Sequence, residues 1–388
     1  MRILLSLVGE QPTPNLIPLY HAAHVGQRFD GVKFLVSGDE RFKEVAGHLS
    51  EAIKKEAEKA DSPLSGMQII DSGPPVDAWQ LDKARADCES AIQKCLKAGH
   101  EVTVNLTGGT KIMSLAAYQA AVNTGVPMLY VNTAETQVQH YDHSGQPTES
   151  KRFQVKIPIE TQLRAAGREF KRNPTKPRVR PADISQDHEE LARLIAARYV
   201  VAHTKLIRKV LNAARRAGQP AAYVPSGQSV EVANRIQAAG LWRWDEAAGT
   251  LTITNSSAWN FLNGGWVEVL ALCSLGNHGD FNEVLGNVEI EGFAGELDVV
   301  ATHNGRLGII ECKTEGPSQE ERLSFAIAKV RLHEVILGGP YAAGMFVLPS
   351  DENIRSWQDI CRQYALPEPV YGANLSRLPD ELLRRLRG

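Results

Sequence analysis

Across residues 1–145, short apolar runs alternate with longer stretches whose apolar positions recur every three or four residues. The runs Arg2–Val8, Val32–Val36, Met67–Ile70, Val102–Leu106 and Met128–Val131 read as strands. Arg41–Ala60, Trp79–Lys97 and Ile112–Asn123 read as helices, the first with a solvated Lys/Glu face and the last stopped by Gly125-Val126-Pro127. Apolar strands alternating with helices specify a mostly parallel sheet covered on both faces. Farther on, 187–217 and Val230–Ala239 read as helices, and Leu241–Trp244 with Thr250–Thr254 as a hairpin turning through Asp245–Gly249. The chain then gives a helix (Ala258–Leu275), three strands, a helix (Gln319–Leu337), a strand (Gly344–Leu348) and a helix (Trp357–Tyr364). Three units are expected: an α/β unit over 1–148, a basic, helical and hairpin-bearing connector over 149–256, and a second α/β unit over 257–388.

Composition adds one local feature. The 388 residues carry a net charge of −2, so the chain as a whole is not a basic binder. Between Lys151 and Pro181, however, ten Lys/Arg face two Asp/Glu, with prolines at 158, 174, 177 and 181. A solvated linker and a segment that tracks phosphates beside a nucleic-acid site both fit that tract. No apolar run approaches membrane-spanning length. The N-terminal run meets Glu10, Pro12 and Pro14 instead of a cleavage site, so it reads as a buried strand. Five cysteines without a C-x-x-C pair argue against a disulfide framework and a structural zinc site, and point to the cytoplasm.

The richest chemistry lies in Gly295–Lys313. Asn304-Gly305 between two apolar runs signals a two-residue type I′ hairpin, which places His303 opposite Arg306. Counting back, Asp298 falls opposite Glu311 and Glu296 opposite Lys313. By strand alternation these four share one face, and Leu297, Val299, Ile310 and Cys312 share the packed one. Two opposed carboxylates repel and need a counter-charge. Lys313 supplies part of it, and hard oxygen ligands suit Mg²⁺ or Mn²⁺ for the rest. Such an ion activates water and stabilises charge on a phosphate under attack. Lys313 would orient or deprotonate that water, or pair with the phosphate.

This segment resembles the PD-(D/E)xK restriction-endonuclease-like nucleases, whose core is a helix, a three-strand meander, a helix and a fourth strand. Asp298 and Glu311-Cys312-Lys313 match the motif residue by residue, and Glu268, in Gly264–Glu268, fits the acidic residue that such enzymes often add from the first helix. The resemblance covers roughly 258–350. It implies Glu268, Asp298, Glu311 and Lys313 as catalytic residues, with Asp298, Glu311 and the Cys312 carbonyl as metal ligands. Glu296 would be a further partner of Lys313.

A second set of residues belongs to ligand binding. Asn105-Leu106-Thr107-Gly108-Gly109-Thr110-Lys111 runs from a strand end into a helix. Exposed N–H groups, two glycines, two hydroxyls and a lysine make a phosphate cradle there. It is neither a P-loop nor GxGxxG. The loop Gly9–Asn15 leaves the first strand at the same edge, where open α/β sheets bind ligands.

With that early loop, the strand–NLTGGTK–helix pattern is similar to the CRISPR-associated Rossmann-fold (CARF) sensor domain. Such domains dimerise and bind a cyclic oligoadenylate across the two-fold axis. The resemblance spans about 1–145. It implies that Thr107, Gly108, Gly109, Thr110 and Lys111 hold phosphate and ribose, that Gln11, Thr13 and Asn15 close over the ligand, and that Asn105 adds a contact. Together the two halves resemble the CARF–nuclease effectors of type III CRISPR systems. That resemblance implies a homodimer, activated by a cyclic oligoadenylate (cyclic tetra-adenylate first), that cleaves DNA and, as a further substrate, RNA with Mg²⁺ or Mn²⁺.

Two rival classes stay open on the sequence. One is a CARF ligand-responsive transcriptional regulator that binds DNA through a winged helix at 187–254; the other is a constitutive repair or restriction nuclease. His21 and His24 are expected to face solvent or a partner subunit, and His140 and His143 to form a loop pair. Trp242 and Trp244 read as core, with base stacking as the alternative.

Overall fold

In the computed structural model, residues 1–293, 295–314, 320–351 and 354–387 are described. The N-terminal unit runs β1 (Arg2–Leu7), α1 (Thr13–His24), β2 (Gly31–Leu35), α2 (Glu40–Ala57), β3 (Gln68–Ile70), α3 (Leu81–Lys97), β4 (Glu101–Asn105), α4 (Lys111–Thr124) and β5 (Met128–Asn132). Two further strands, β6 (Gln137–Tyr141) and β7 (Pro147–Arg152), extend it. The sheet order is β3-β2-β1-β4-β5-β6-β7, with β1 to β5 parallel and β6 and β7 antiparallel. This is the expected α/β arrangement, with a polar antiparallel extension that the apolar pattern did not show. One apolar core lies between the sheet and α1 with α2, and a second between the sheet and α3 with α4. α5 (Ile159–Ala165) belongs to this unit as well, since Thr161 Oγ1 donates to the buried Glu56 of α2 at 2.8 Å.

The connector holds α6 (Gln186–Ala197), a π-type stretch Val200–Ile207 running into α7 (Arg208–Ala217), β8 (Ala221–Ala222), α8 (Ser229–Ala238), β9 (Trp242–Asp245) and β10 (Thr250–Ile253). Its small sheet has the order β8-β10-β9. Helix, helix, strand, helix and hairpin is the winged order raised as a possibility. Trp242 is buried, and its indole N–H donates to the Ala233 carbonyl at 3.0 Å, a core role.

The C-terminal unit has α9 (Ser256–Asn260), α10 (Trp266–Gly276), β11 (Glu283–Glu289), β12 (Glu296–His303), β13 (Arg306–Cys312), α11 (Glu320–Leu337), β14 (Ala342–Leu348), α12 (Ile354–Gln363), β15 (Val370–Tyr371) and α13 (Leu378–Arg387). The expected first residue of α11, Gln319, lies outside the described residues. The sheet order is β11-β12-β13-β14-β15, antiparallel through β13 and parallel beyond. One continuous apolar cluster joins Leu191 and Trp242 of the connector to Trp266 of α10 and Leu386 of α13. The connector is therefore packed into the body of the second unit. None of the helices described is long and apolar enough to cross a membrane.

Candidate functional site

Asn304 and Gly305 adopt φ of 49° and 75°, the type I′ turn their sequence demands. The ladder has the expected register, with His303 opposite Arg306 and Val299 opposite Ile310. The paired rungs end there. Just beyond, the Asp298 carboxylate accepts the Cys312 backbone N–H at 2.7 Å, so it caps the point where the strands part. Strict alternation fails at the same place. Val299, Ile310 and Cys312 pack toward α10 and α13, but Leu297 joins Val300 and Ile309 on the other face. The slip lies between the Gly286–Val299 and Val288–Leu297 pairs, where Asn287 takes φ 55°. The pairing keeps the same register on both sides of it, and the Asp298 carboxylate is held there by the Cys312 N–H.

Around that point the structure gathers the predicted catalytic residues. Asp298 and Glu311 are 6% and 4% exposed. Lys313 Nζ lies 2.6 Å from Glu311 Oε1, 3.7 Å from Asp298 Oδ2 and 3.1 Å from the Cys312 carbonyl. Burial, then the charge of Glu311, pushes the Asp298 carboxyl up to about 7. Burial also raises Glu268, which looks into the same cluster from α10. For Lys313, burial alone would lower the ammonium's pKa, but Asp298 and Glu311 outweigh it and hold it raised. Lys313 is therefore a cation that donates hydrogen bonds. The Cys312 thiol is buried and pushed far up, so its carbonyl is the atom that can serve as a ligand.

Among the described residues, no group of three His, Cys, Asp or Glu side chains is gathered closely enough to hold a metal ion. The donor set nevertheless fits one. Asp298, Glu311 and the Cys312 carbonyl are hard oxygens, and the positive charge they share is supplied by Lys313 Nζ. A divalent ion would favour the ionised Asp298 carboxylate that burial and the Glu311 charge disfavour.

Two further lysines reach the cluster. Lys176, in the basic tract, lies 2.6 Å from Glu296, and its charge is felt at Glu268 and Asp298. Glu296 thus partners Lys176 rather than Lys313. The tract's excess charge was visible in sequence, but its path into the site was not. Lys329 of α11 donates to the Glu296 carbonyl at 3.1 Å and lies 3.5 Å from Glu311 Oε2. Tyr199 of the connector donates its hydroxyl to the Thr314 carbonyl at 2.9 Å, fixing the chain just past Lys313.

At the carboxyl edge of the first sheet, the glycine loop packs against β1. Gly108 has φ 113°, and a Cβ there would fall 2.3 Å from the Leu7 carbonyl oxygen. Only glycine fits such an approach. Thr110 caps α4, its hydroxyl oxygen accepting the Met113 N–H at 3.2 Å, and Thr107 Oγ1 accepts the Val131 N–H at 2.7 Å. Lys111 is exposed at the helix start. Asn15 and Asn105 are fully buried, and both donate to Ser6 Oγ, at 2.8 and 2.9 Å. Their amides hold the two loops together.

Gln11 and Thr13 reach toward the C-terminal unit. A Cβ on Gly339 would lie 2.7 Å from Gln11 Nε2, and one on Gly305 would meet Thr13 and Ile17 at 3.6 and 3.4 Å. The same hairpin tip is tied by Asn304, which accepts the Val155 N–H at 3.1 Å. Arg306 donates to the Thr133 carbonyl at 2.9 Å and stacks over Tyr341 at 5.9 Å. His21 is buried, against expectation, because α1 turns it inward beside a cavity of about 310 Å³ shared with His140 of β6.

Residues 3–161 match the Card1 CARF domain model, and residues 255–368 match the Card1-like endonuclease domain model. Together they span well over half of the sequence. The chain joins a CARF domain to a Card1-like endonuclease domain. Its CARF domain carries the glycine loop and its endonuclease domain the carboxylate hairpin. In fold it is similar to protein VC1899 from Vibrio cholerae, with TM-score 0.75, 18% identity, and coverage of 100% of this chain and 99% of that one. It is also similar to Can2 from Sulfobacillus thermosulfidooxidans, solved with cyclic tetra-adenylate, at TM-score 0.69, 22% identity and coverage of 100% and 99%. A type III CRISPR defence DNA nuclease activated by cyclic oligoadenylate aligns at TM-score 0.55 and 20% identity, over 89% of this chain and 45% of that one. No curated protein matches the chain.

Proposed function

We propose that this protein is a homodimeric, cyclic-oligoadenylate-activated, divalent-metal-dependent endonuclease of type III CRISPR defence, with cyclic tetra-adenylate as activator and DNA, and also RNA, as substrate. The observation that carries this reading is the cluster of Asp298, Glu311 and Lys313 in one chain with a CARF glycine loop. Asp298, Glu311 and the Cys312 carbonyl would hold Mg²⁺ or Mn²⁺. When bound, such an ion lowers the pKa of water and stabilises charge on the phosphate. Lys313, held as an ammonium, orients the attacking water and neutralises the phosphate oxygens. Glu268 flanks the site, its carboxyl raised above the usual carboxylate range by burial. Lys176 and Lys329 keep the site attractive to a polyanion.

The hairpin supplies the coupling. Its tip packs against Thr13 and Ile17, and its open end carries the carboxylates. Six residue steps separate Asn304 from Asp298, roughly 20 Å at ~3.3 Å per residue. A ligand that favours one setting of the 9–15 loop would thereby bias the setting of the carboxylates. The regulator reading is less favoured, because the winged unit shares a continuous core with the endonuclease domain. The test is Glu311→Gln. Cleavage of plasmid DNA in Mn²⁺ is expected to fall below detection while affinity for cyclic tetra-adenylate stays within about threefold. Retained cleavage, or lost affinity, would contradict the division of labour.

A further inference from the structure

Beside the glycine loop, sharing Thr110 with the phosphate cradle, lies a groove of about 720 Å³ that the endonuclease chemistry does not use. Phe42, Asp77, Trp79, Lys83 and Thr110 line it. Trp79 is 83% exposed, so a large aromatic surface is offered to solvent at the sheet edge where ligands bind. The loop that displays it is fixed. Asp77 Oδ1 accepts the N–H groups of Trp79 and Gln80, both at 2.8 Å, and the Asp77 N–H donates to Asp87 at 3.0 Å. Thr110 then joins this loop to the cradle, donating its hydroxyl to the Ala78 carbonyl at 3.0 Å while capping α4. An exposed indole on a rigid loop, tied through one residue to a phosphate-binding turn, has the layout of a nucleotide site: phosphate at the glycines, base on the aromatic face.

We propose that Trp79 is a stacking platform for one purine base of the activator, a subsite that sets affinity for adenine-bearing rings. The proposal rests on the activator reading above. Base–aromatic stacking of this kind tolerates loss of the indole only at a cost of about 10- to 100-fold in affinity. Lys83, on the same groove, adds a cation for the neighbouring phosphate.

The full-length protein and cyclic tetra-adenylate test this, by calorimetric titration and by tryptophan emission. Trp79 is the only tryptophan among residues 1–241, so the ligand should quench a component of emission that Trp79→Phe lacks. Trp79→Ala should lose about 10- to 100-fold in affinity, and Trp79→Phe should stay within about fivefold of wild type. Wild-type binding with an unchanged Trp79→Ala affinity would overturn the stacking role and leave the activator reading standing. No binding by the wild-type protein would overturn both. Sedimentation of Trp79→Ala separates the remaining source: conversion to monomer would make Trp79 a subunit contact and overturn the proposal, whereas an unchanged oligomer with weakened binding supports it.

Discussion

Asp298→Asn should stabilise the protein in a manner that depends on pH. The Asp298 carboxyl is 6% exposed, and burial with the Glu311 charge lifts its pKa from 3.8 to about 7. Below pH 4 it is protonated in folded and unfolded chains alike, and ionisation costs nothing. Between pH 4 and 7 the unfolded chain ionises while the folded one resists, so stability falls as pH rises; above 7 the whole difference is present. A pKa difference of about 3 corresponds to about 4 kcal/mol in full, and to about 2–3 kcal/mol between pH 5 and pH 8. Asparagine keeps an oxygen to accept the Cys312 N–H, which Asp298 now accepts at 2.7 Å, and carries no charge. Urea unfolding in EDTA, followed by emission of the buried Trp266 and Trp357, reports on this domain. The variant's advantage should grow by about 2–3 kcal/mol from pH 5 to pH 8. An advantage that is flat with pH, or that shrinks, would refute the claim that this carboxylate is held at an electrostatic cost to stability.

Two other substitutions probe the loop and the hairpin. Gly108→Ala places a methyl 2.3 Å from the Leu7 carbonyl, so cyclic tetra-adenylate affinity measured by calorimetry should fall at least about tenfold; Gly26→Ala, with φ 72° and nothing within 4 Å, is the control that keeps binding intact. Arg306→Ala removes the tie from the hairpin to Thr133 and Tyr341, so the ratio of activated to basal cleavage should fall about tenfold, a coupling of about 1.4 kcal/mol. Its basal rate in fluorogenic cleavage assays should match wild type, and an unchanged ratio would remove the hairpin from the coupling path.

Much of the site was legible because it is local. Asn304-Gly305 admits one tight turn, that turn sets the register, and the register brings Asp298 and Glu311 to neighbouring positions. Gly108 and Gly109 likewise announce a backbone that nothing bulkier could follow. What could not be read depends on long-range packing. β6 and β7 are polar strands, β7 at the sheet edge, and residues such as Pro147–Arg152 resemble linker. α5 is hidden inside the basic tract, yet it seals α2 through Thr161 and Glu56. Lys176 and Lys329 enter the cluster from residues 122 positions before and 31 after Asp298, a convergence that spacing alone does not encode. Gln11 and Thr13 carried a ligand-loop pattern, but the fold also sets them against Gly339 and Gly305. The alternation slip at Asp298 was hidden because it coincides with a left-handed residue, Asn287, on the neighbouring strand.

The central claim, that one domain senses and the other cuts, is tested most directly by incubating the full-length protein with supercoiled plasmid in Mn²⁺, with and without cyclic tetra-adenylate, and repeating both in EDTA. The account predicts nicked and linear products only where activator and metal are both present. Equal cleavage without the activator, or cleavage that persists in EDTA, would contradict it.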